Sequence, residues 1–197
     1  MDAVITVVPA TSARWEDVSG VMGVRGDPAH CWCQFFKLRG RDWQSATRES
    51  NRAALREQVC DEDLPPGVLA YVEDRPVGWC AVAPKSSYPR LLASRVSAPI
   101  RAAEDDGVWS VSCFVVVVGW RRKGVAGALL RGAVGLARAH GATAVDGYPV
   151  DPDARRSVTA AELYHGTTAL FLAAGFREVR RPTPGRVAVR MELRSGR

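Results

Sequence analysis

A run of β-forming residues that passes directly into a basic, glycine-containing turn constrains the fold more than any other feature. The run VWSVSCFVVVV (108–118) is apolar at consecutive positions, which is typical of a central strand covered on both faces. GWRRKGVAG (119–127) follows, and the apolar residues after it keep helical spacing to about His140, where Gly141 can end the helix. The sequence therefore predicts a strand, a cationic turn and a helix N-terminus in that order.

The cationic turn has the physical properties of a phosphate site. The first N–H groups of a helix have no intrahelical partner and carry the positive end of the helix dipole. Gly124 and Gly127 lack a Cβ and so allow a ligand close to the backbone, while Arg121 to Lys123 add charge. A Walker loop is not formed, because Val125 and Ala126 stand where lysine and a hydroxyl are needed, and the three-glycine dinucleotide fingerprint is incomplete. The alternative is a glycine-rich helix start with solvated cations.

The other segments predict an α/β chain with a mixed sheet. Strands are expected in VITVVPAT, ended by Pro9, in a hairpin over 68–84, at 142–150 and in a closing hairpin over 177–193. Helices are expected after Thr11 or Ser12, over 42–63 and over 167–176. CWCQFF (31–36) fits either a short strand or an apolar turn. Residues 85–107 and about 150–166 form two long polar excursions, which are often functional in compact domains.

Composition excludes several classes of protein and leaves others open. The 197 residues carry a net charge of +6 with a pI near 9.4, which permits an anionic ligand. The arginines are spread along the chain without a nucleic-acid motif, so nucleic acid is not an expected partner. No apolar run is long enough for a membrane span and no signal peptide is visible, so we expect a cytoplasmic protein. The five cysteines are expected to be reduced, and Cys31-x-Cys33 lacks a second pair, so no metal is expected.

The segment Arg121-x-x-Gly124-x-Ala126, after an apolar strand and before a helix, resembles motif A (Q/R-x-x-G-x-G/A) of the GCN5-related N-acetyltransferases (GNAT). The hairpin VEDRPVGWCAVAP and the late helix ALFLAAGFREV extend the resemblance over roughly residues 65 to 193. It implies one GNAT domain over residues 1–197. The implied fold is α/β, with a mixed, mostly antiparallel central sheet splayed between its fourth and fifth strands and flanked by helices.

The resemblance also implies acetyl-CoA as the acyl donor. In that family the pyrophosphate lies on the N–H groups of the loop, which correspond to residues 122 to 127, and the pantetheine arm pairs with the strand before it. A backbone N–H near Val116 is the candidate for polarising the acyl carbonyl. The implied cofactor-binding residues are Phe114, Val115, Val116, Arg121, Arg122, Lys123, Gly124, Val125, Ala126, Gly127 and Ala128.

At the catalytic positions the chain departs from the family pattern. Phe171 stands where the family often has a tyrosine acid, and Tyr164 stands where an asparagine is common. Tyr164 is the candidate acid; it could equally pack beside the late helix. The central strand has no carboxylate, so Asp146 on the next strand is the candidate base, with a solvated strand-end acid as the alternative. Other ionisable groups on the excursions are Glu104, Asp105, Asp106, Asp151, Asp153 and His165.

The function that these patterns favour is direct transfer of an acetyl group to a primary amine. A small molecule is favoured over a protein as acceptor, since two excursions can wall the site and carry acids that attract a cationic amine. CWCQFF and Trp43 add aromatic residues that line such a site or fill the core. A monomer or homodimer is expected. The alternative is a module that binds acyl-CoA with little turnover; a nucleic-acid binder has only the net charge in its favour.

Overall fold

The computed structural model describes residues 4–61, 63–94 and 107–193, and the described part contains seven strands and eight α-helices. The strands are β1 (Ile5–Pro9), β2 (Gly67–Val72), β3 (Arg75–Pro84), β4 (Val108–Val116), β5 (Ala144–Gly147), β6 (Arg177–Thr183) and β7 (Arg186–Glu192). The helices are α1 (Trp15–Met22), α2 (Gly26–Cys31), α3 (Gly40–Ser45), α4 (Arg48–Cys60), α5 (Pro89–Ala93), α6 (Val125–Ala139), α7 (Ala160–Leu163) and α8 (Thr168–Ala173).

All seven strands form one sheet in the order β1-β2-β3-β4-β5-β7-β6. Every neighbouring pair is antiparallel except β4 and β5, which run parallel. The parallel pairing spans only Val108–Val111 against Ala144–Gly147, whereas β4 continues to Val116. The two strands therefore separate over the second half of β4. The predicted fold class, with a mixed sheet splayed between its fourth and fifth strands, is confirmed.

Side chains of the central strands alternate between two apolar layers. On one face α6 packs across β1 to β4, with Leu129 and Leu130 fully buried, and α8 adds Phe171 to the same cluster. On the other face α1 and α4 cover Leu69, Trp79 and Ala81. The prediction that β4 is covered on both faces is confirmed by the burial of seven of its nine residues.

Two local predictions were wrong. The helix expected over 42–63 is broken into α3 and α4, because Ala46 is extended and Thr47 caps α4 through a reciprocal capping box with Ser50. The strand predicted over 108–118 ends at Val116, and Val118–Trp120 form a 3-10 turn instead.

The segment CWCQFF begins at Cys31, the last residue of α2, and continues as a turn. Trp32 and Cys33 adopt positive φ values of 45° and 57°, so the chain reverses without glycine. Both side chains are nevertheless buried in the core layer beneath α1 and α4, which holds the turn in place.

Each excursion contains one short α-helix among its described residues. In the first, α5 lies at Pro89–Ala93 and residues 95–106, with Glu104, Asp105 and Asp106, fall outside the described residues. The second excursion contains α7, whose Thr159 cap and Glu162 form a capping box. Within the described ranges, no helix is long and apolar enough to cross a membrane, and no cluster of His, Cys, Asp or Glu could hold a metal ion.

Candidate active site

The separation of β4 from β5 turns the backbone of β4 towards open space. Val117 donates its N–H to the Val77 carbonyl of β3 at 3.0 Å, whereas Phe114 donates to the Tyr164 carbonyl at 2.7 Å, on the opposite side. Because backbone N–H directions alternate along a strand, the Val116 N–H faces the same side as that of Phe114. The Tyr164 carbonyl thus pairs with this edge at Phe114, and the Val116 N–H is presented beyond it, where β5 has diverged.

The cationic turn leads from this strand end into α6. Gly124 is the N-cap of α6 with φ of 80°, and Arg122 has φ of 59°. A Cβ on Gly124 would meet only Ile5 Cδ1, at 3.9 Å, so the glycine is required by its backbone conformation and not by crowding. The first turn of α6 therefore presents its unpaired N–H groups beside a loop that leaves them accessible.

The cavity in front of this turn is called the loop cavity. Its volume is about 460 Å³, and it is bounded by β4, the turn, α6, α7 and α8. Its lining residues are Phe114, Val116, Trp120, Arg121, Arg122, Gly124, Val125, Ala126, Gly127, Ala160, Leu163, Tyr164, Gly166, Thr167 and Leu170. One side of the loop cavity is thus formed by the cationic turn and the N-terminus of α6, and the other side is mainly apolar.

Eight of the eleven residues predicted to bind the cofactor line the loop cavity, and three do not. Val115 points to the opposite face of β4, as alternation requires, and Lys123 places its ammonium 4.9 Å from the Trp120 ring centroid. Ala128 is buried on α6. The Arg121 Nε–H donates a hydrogen bond to the Val116 carbonyl at 3.2 Å. This hydrogen bond holds the guanidinium over the end of β4.

A second cavity lies on the other face of β4 and is called the aromatic cavity. It has a volume of about 380 Å³ and is lined by Asp27, Pro28, His30, Cys31, Cys33, Phe35, Trp43, Cys113, Val115, Ala161, Glu162, Tyr164 and His165. Phe35 and Trp43 pack edge to face at 5.2 Å within its wall. The predicted aromatic surface from CWCQFF and Trp43 therefore meets the second excursion at this cavity.

Tyr164 lines both cavities and is the residue that links them. Its backbone carbonyl is fixed by Phe114, while its side chain is partly exposed. Burial and the nearby Asp27 carboxylate raise the pKa of Tyr164, so the phenol keeps its proton at neutral pH. Phe171 is fully buried against Phe114 and Phe176 and lines neither cavity.

Residues 32–166, more than half of the chain, match the model of the acetyltransferase (GNAT) family. The chain belongs to the GNAT acetyltransferase family. Members of this family use acetyl-CoA. No curated protein gives a significant match to the sequence.

Solved GNAT structures share the fold of this family member at low sequence identity. The GNAT domain of S. lividans PAT is 17% identical with a TM-score of 0.54, covering 95% of this chain and 89% of that one. The yncA protein of Salmonella typhimurium, solved with its cofactor acetyl-CoA, is 12% identical with a TM-score of 0.55, covering 98% and 95%. Ribosomal-protein-alanine N-acetyltransferase from Brucella melitensis is 15% identical with a TM-score of 0.54, covering 95% and 99%.

The surroundings of His165 make it a candidate proton acceptor in this GNAT chain. Its Nδ1 lies 3.1 Å from the Ser112 carbonyl oxygen, which can only accept, so Nδ1 carries the proton and Nε2 is the basic nitrogen. Burial lowers the pKa of His165, and the Arg186 guanidinium lowers it further. A neutral imidazole that lines the aromatic cavity next to Tyr164 is therefore able to accept a proton.

Asp146, the predicted base, lies away from both cavities. It is completely buried on β5, where it accepts hydrogen bonds from Lys85 Nζ at 2.9 Å and from Arg190 Nε at 2.7 Å. Lys85 is fully buried as well. The alternative of a solvated acid is wrong, and a carboxylate committed to two cations is poorly suited to take a proton from an acceptor. Its catalytic role stays a prediction that this geometry does not favour.

Proposed function

We propose that this GNAT protein transfers the acetyl group of acetyl-CoA directly to the primary amine of a small molecule. The observation that carries the proposal is the position of Tyr164, which lines both the loop cavity and the aromatic cavity. The two cavities lie on opposite faces of β4 and can hold a donor and an acceptor at the same time. Bringing both reactants together supplies much of the catalysis of such a transfer.

The loop cavity suits the donor. The N–H groups of residues 122–127 and the helix dipole favour a pyrophosphate at the first turn of α6, and Arg121 and Arg122 add charge. An additional cation, Arg131, lies one turn further along α6, with Nη1 3.5 Å from where a Cβ on Gly127 would stand. On the diverging edge of β4 the Phe114 N–H is taken by the Tyr164 carbonyl, so the Phe114 carbonyl and the Val116 N–H are the groups that suit a pantetheine arm. Acetyl-CoA supplies an activated thioester when it is bound.

The Val116 N–H is the proposed donor to the thioester carbonyl oxygen. It faces the gap between β4 and β5, whereas the neighbouring Val117 N–H is bound to β3. A backbone donor held by a central strand is already oriented before reaction, so it stabilises developing negative charge without reorganisation.

Tyr164 and His165 have complementary proton-transfer properties. His165 Nε2 is proposed to accept the proton of the attacking amine, directly or through water, because the imidazole is neutral and its tautomer is fixed by Ser112. Tyr164 is proposed to donate a proton to the departing thiolate, because its phenol is a hydrogen donor at neutral pH and the residue lines both cavities. The two adjacent residues then divide the roles of base and acid.

The alternative function, an acyl-CoA-binding module with little turnover, takes its support from Phe171, which lacks the hydroxyl common in the family. The pair formed by Tyr164 and His165 favours catalysis over this alternative. A nucleic-acid binder would have only the net charge of +6 in its favour.

Coenzyme A release in the presence of primary amines tests the proposal. Catalysis predicts release that depends on the amine and is matched mole for mole by acetylated amine in mass spectra. A binding module predicts tight acetyl-CoA binding with release no faster than hydrolysis without amine, and that result would reject the proposal.

A further inference from the structure

We infer that the aromatic cavity accepts a primary monoamine with an aromatic ring on a short alkyl chain and without a carboxylate or phosphate group. The inference rests on the proposed function, because it names the class of amine that the same site acetylates. It comes from the walls of the cavity, from its charges and from its size.

The wall formed by Phe35 and Trp43 provides a flat apolar surface. Phe35 is 36% exposed although it lines the cavity, so its ring is available to a ligand. The Arg90 guanidinium lies 4.3 Å from the Phe35 ring centroid and 5.6 Å from that of Trp43, and its Nε donates to the Leu38 carbonyl. A ring pair held in this way favours an aromatic ligand, since it can add an edge-to-face or stacked contact.

Among the described residues, two carboxylates line the cavity, those of Asp27 and Glu162, and one of them is available to a cationic amine. Glu162 accepts hydrogen bonds from Arg155 and Arg186 and closes the capping box of α7. The Thr159 N–H and the Arg155 guanidinium lower the pKa of Glu162 to about 2. Asp27 is exposed and forms no ion pair with any residue that the structure describes. A single free carboxylate suits one ammonium group and would leave the other charges of a polyamine unmatched.

No lysine or arginine lines the aromatic cavity within the described ranges. The basic side chains of its described lining are the imidazoles of His30, which is exposed, and of His165, whose pKa is lowered by burial. The carboxylate of an amino acid, or a phosphate, would therefore lose water there without a lysine or arginine in the described lining to pair with it. This distinguishes the predicted monoamine from an amino acid with the same side chain.

The size of the cavity agrees with this class of ligand. Its volume of about 380 Å³ lies near the lower end of the range of about 300–1,000 Å³ for small-molecule pockets. Asp27 and Phe35 are exposed, which places a charged and an apolar group where an amine can enter.

The test compares 2-phenylethylamine with L-phenylalanine, which differs only by its carboxylate, and with spermidine, which adds cationic groups. Coenzyme A release at saturating acetyl-CoA is expected to give a kcat/KM for 2-phenylethylamine at least tenfold above both others. Trp43→Ala is expected to raise KM for 2-phenylethylamine about tenfold, with Trp43→Phe restoring most of the loss. Asp27→Asn is expected to raise it about fivefold. Asp74→Asn, in the exposed turn between β2 and β3, is the control for loss of a surface carboxylate.

The outcomes separate the inference from the proposed function. If L-phenylalanine or spermidine is used as well as 2-phenylethylamine, acetyl transfer stands and the inference is overturned. The inference is also overturned if Trp43→Ala and Asp27→Asn leave KM unchanged. If acetyl-CoA binds but no amine accelerates coenzyme A release, the proposed function fails and the inference fails with it.

Discussion

The substitution Gly127→Glu tests the pyrophosphate site at the first turn of α6. A Cβ on Gly127 would meet Arg131 Nη1 at 3.5 Å and Leu170 Cδ1 at 4.0 Å, both ordinary contacts, so a side chain fits without displacing the backbone. Gly127 also lines the loop cavity, so the new carboxylate would stand next to the ligand.

The expected loss of affinity follows from Coulomb's law. Two negative charges about 5 Å apart repel by about 1 to 3 kcal/mol per unit charge for effective dielectric constants between about 80 and 20. A carboxylate at position 127 would also pair with Arg131 one turn later and withdraw that cation from the ligand. We therefore expect the Kd for acetyl-CoA to rise at least tenfold.

The fold is expected to gain stability from the same change. Glutamate favours a helix interior over glycine by roughly 0.5 kcal/mol, and a carboxylate in the first turn complements the helix dipole. Gly135→Glu is the matched control, because Gly135 lies in the same helix, is exposed and has nothing within 4 Å of a built Cβ. Both variants change the net charge equally.

Isothermal titration with acetyl-CoA at one fixed salt concentration measures the difference. We predict tight binding by wild type and Gly135→Glu and a Kd at least tenfold higher for Gly127→Glu, with thermal unfolding showing both variants folded. Equal affinity for the two variants would refute the placement of the pyrophosphate at this turn.

Three further substitutions test the catalytic and structural roles. His165→Gln is expected to lower kcat about a hundredfold, with His140→Gln as control. Because the pKa of His165 is lowered in the folded state, the unfolded chain binds a proton at this residue at higher pH than the folded chain does, and wild type loses stability as pH falls below about 6.5. His165→Gln should remove this part of the pH dependence of the free energy of unfolding, measured by urea unfolding. Tyr164→Phe is expected to lower kcat about tenfold in the coenzyme A release assay while acetyl-CoA affinity is kept, since a thiolate leaves fairly well without an acid. Asp146→Asn is expected to lower the free energy of unfolding by about 3 to 5 kcal/mol, because two cations lose their buried partner. The control Asp74→Asn should change the free energy of unfolding by less than about 0.5 kcal/mol. A loss for Asp146→Asn that is no larger than that of the control would contradict the structural role.

The strands and the cationic turn could be predicted because their signals are local. Apolar runs and turn residues locate β2, β3, β4 and the start of α6 within a few residues. The break at Thr47 had a weaker local signal, its capping box with Ser50. The turn at Trp32 and Cys33 had no local sequence signal, since residues other than glycine rarely adopt positive φ values. Here the burial of both side chains holds the two residues in this conformation.

The acceptor side could be predicted only in part, because the aromatic cavity joins residues far apart in sequence. Asp27, Phe35 and Trp43 lie beside Tyr164 and His165 only in the folded chain. The same limit applies to Asp146, because its partner Lys85 lies 61 positions away in an excursion whose sequence shows only polar character. A carboxylate on a strand has no sequence signal that tells an ion pair from a base.

Titration of wild-type protein with acetyl-CoA, with coenzyme A as the comparison, tests the central claim most directly. The account predicts one site per chain with micromolar affinity, and binding of both ligands, because the turn and the first turn of α6 contact the part that they share. Absence of binding at millimolar ligand would mean that the loop cavity is not a coenzyme A site and would contradict the account.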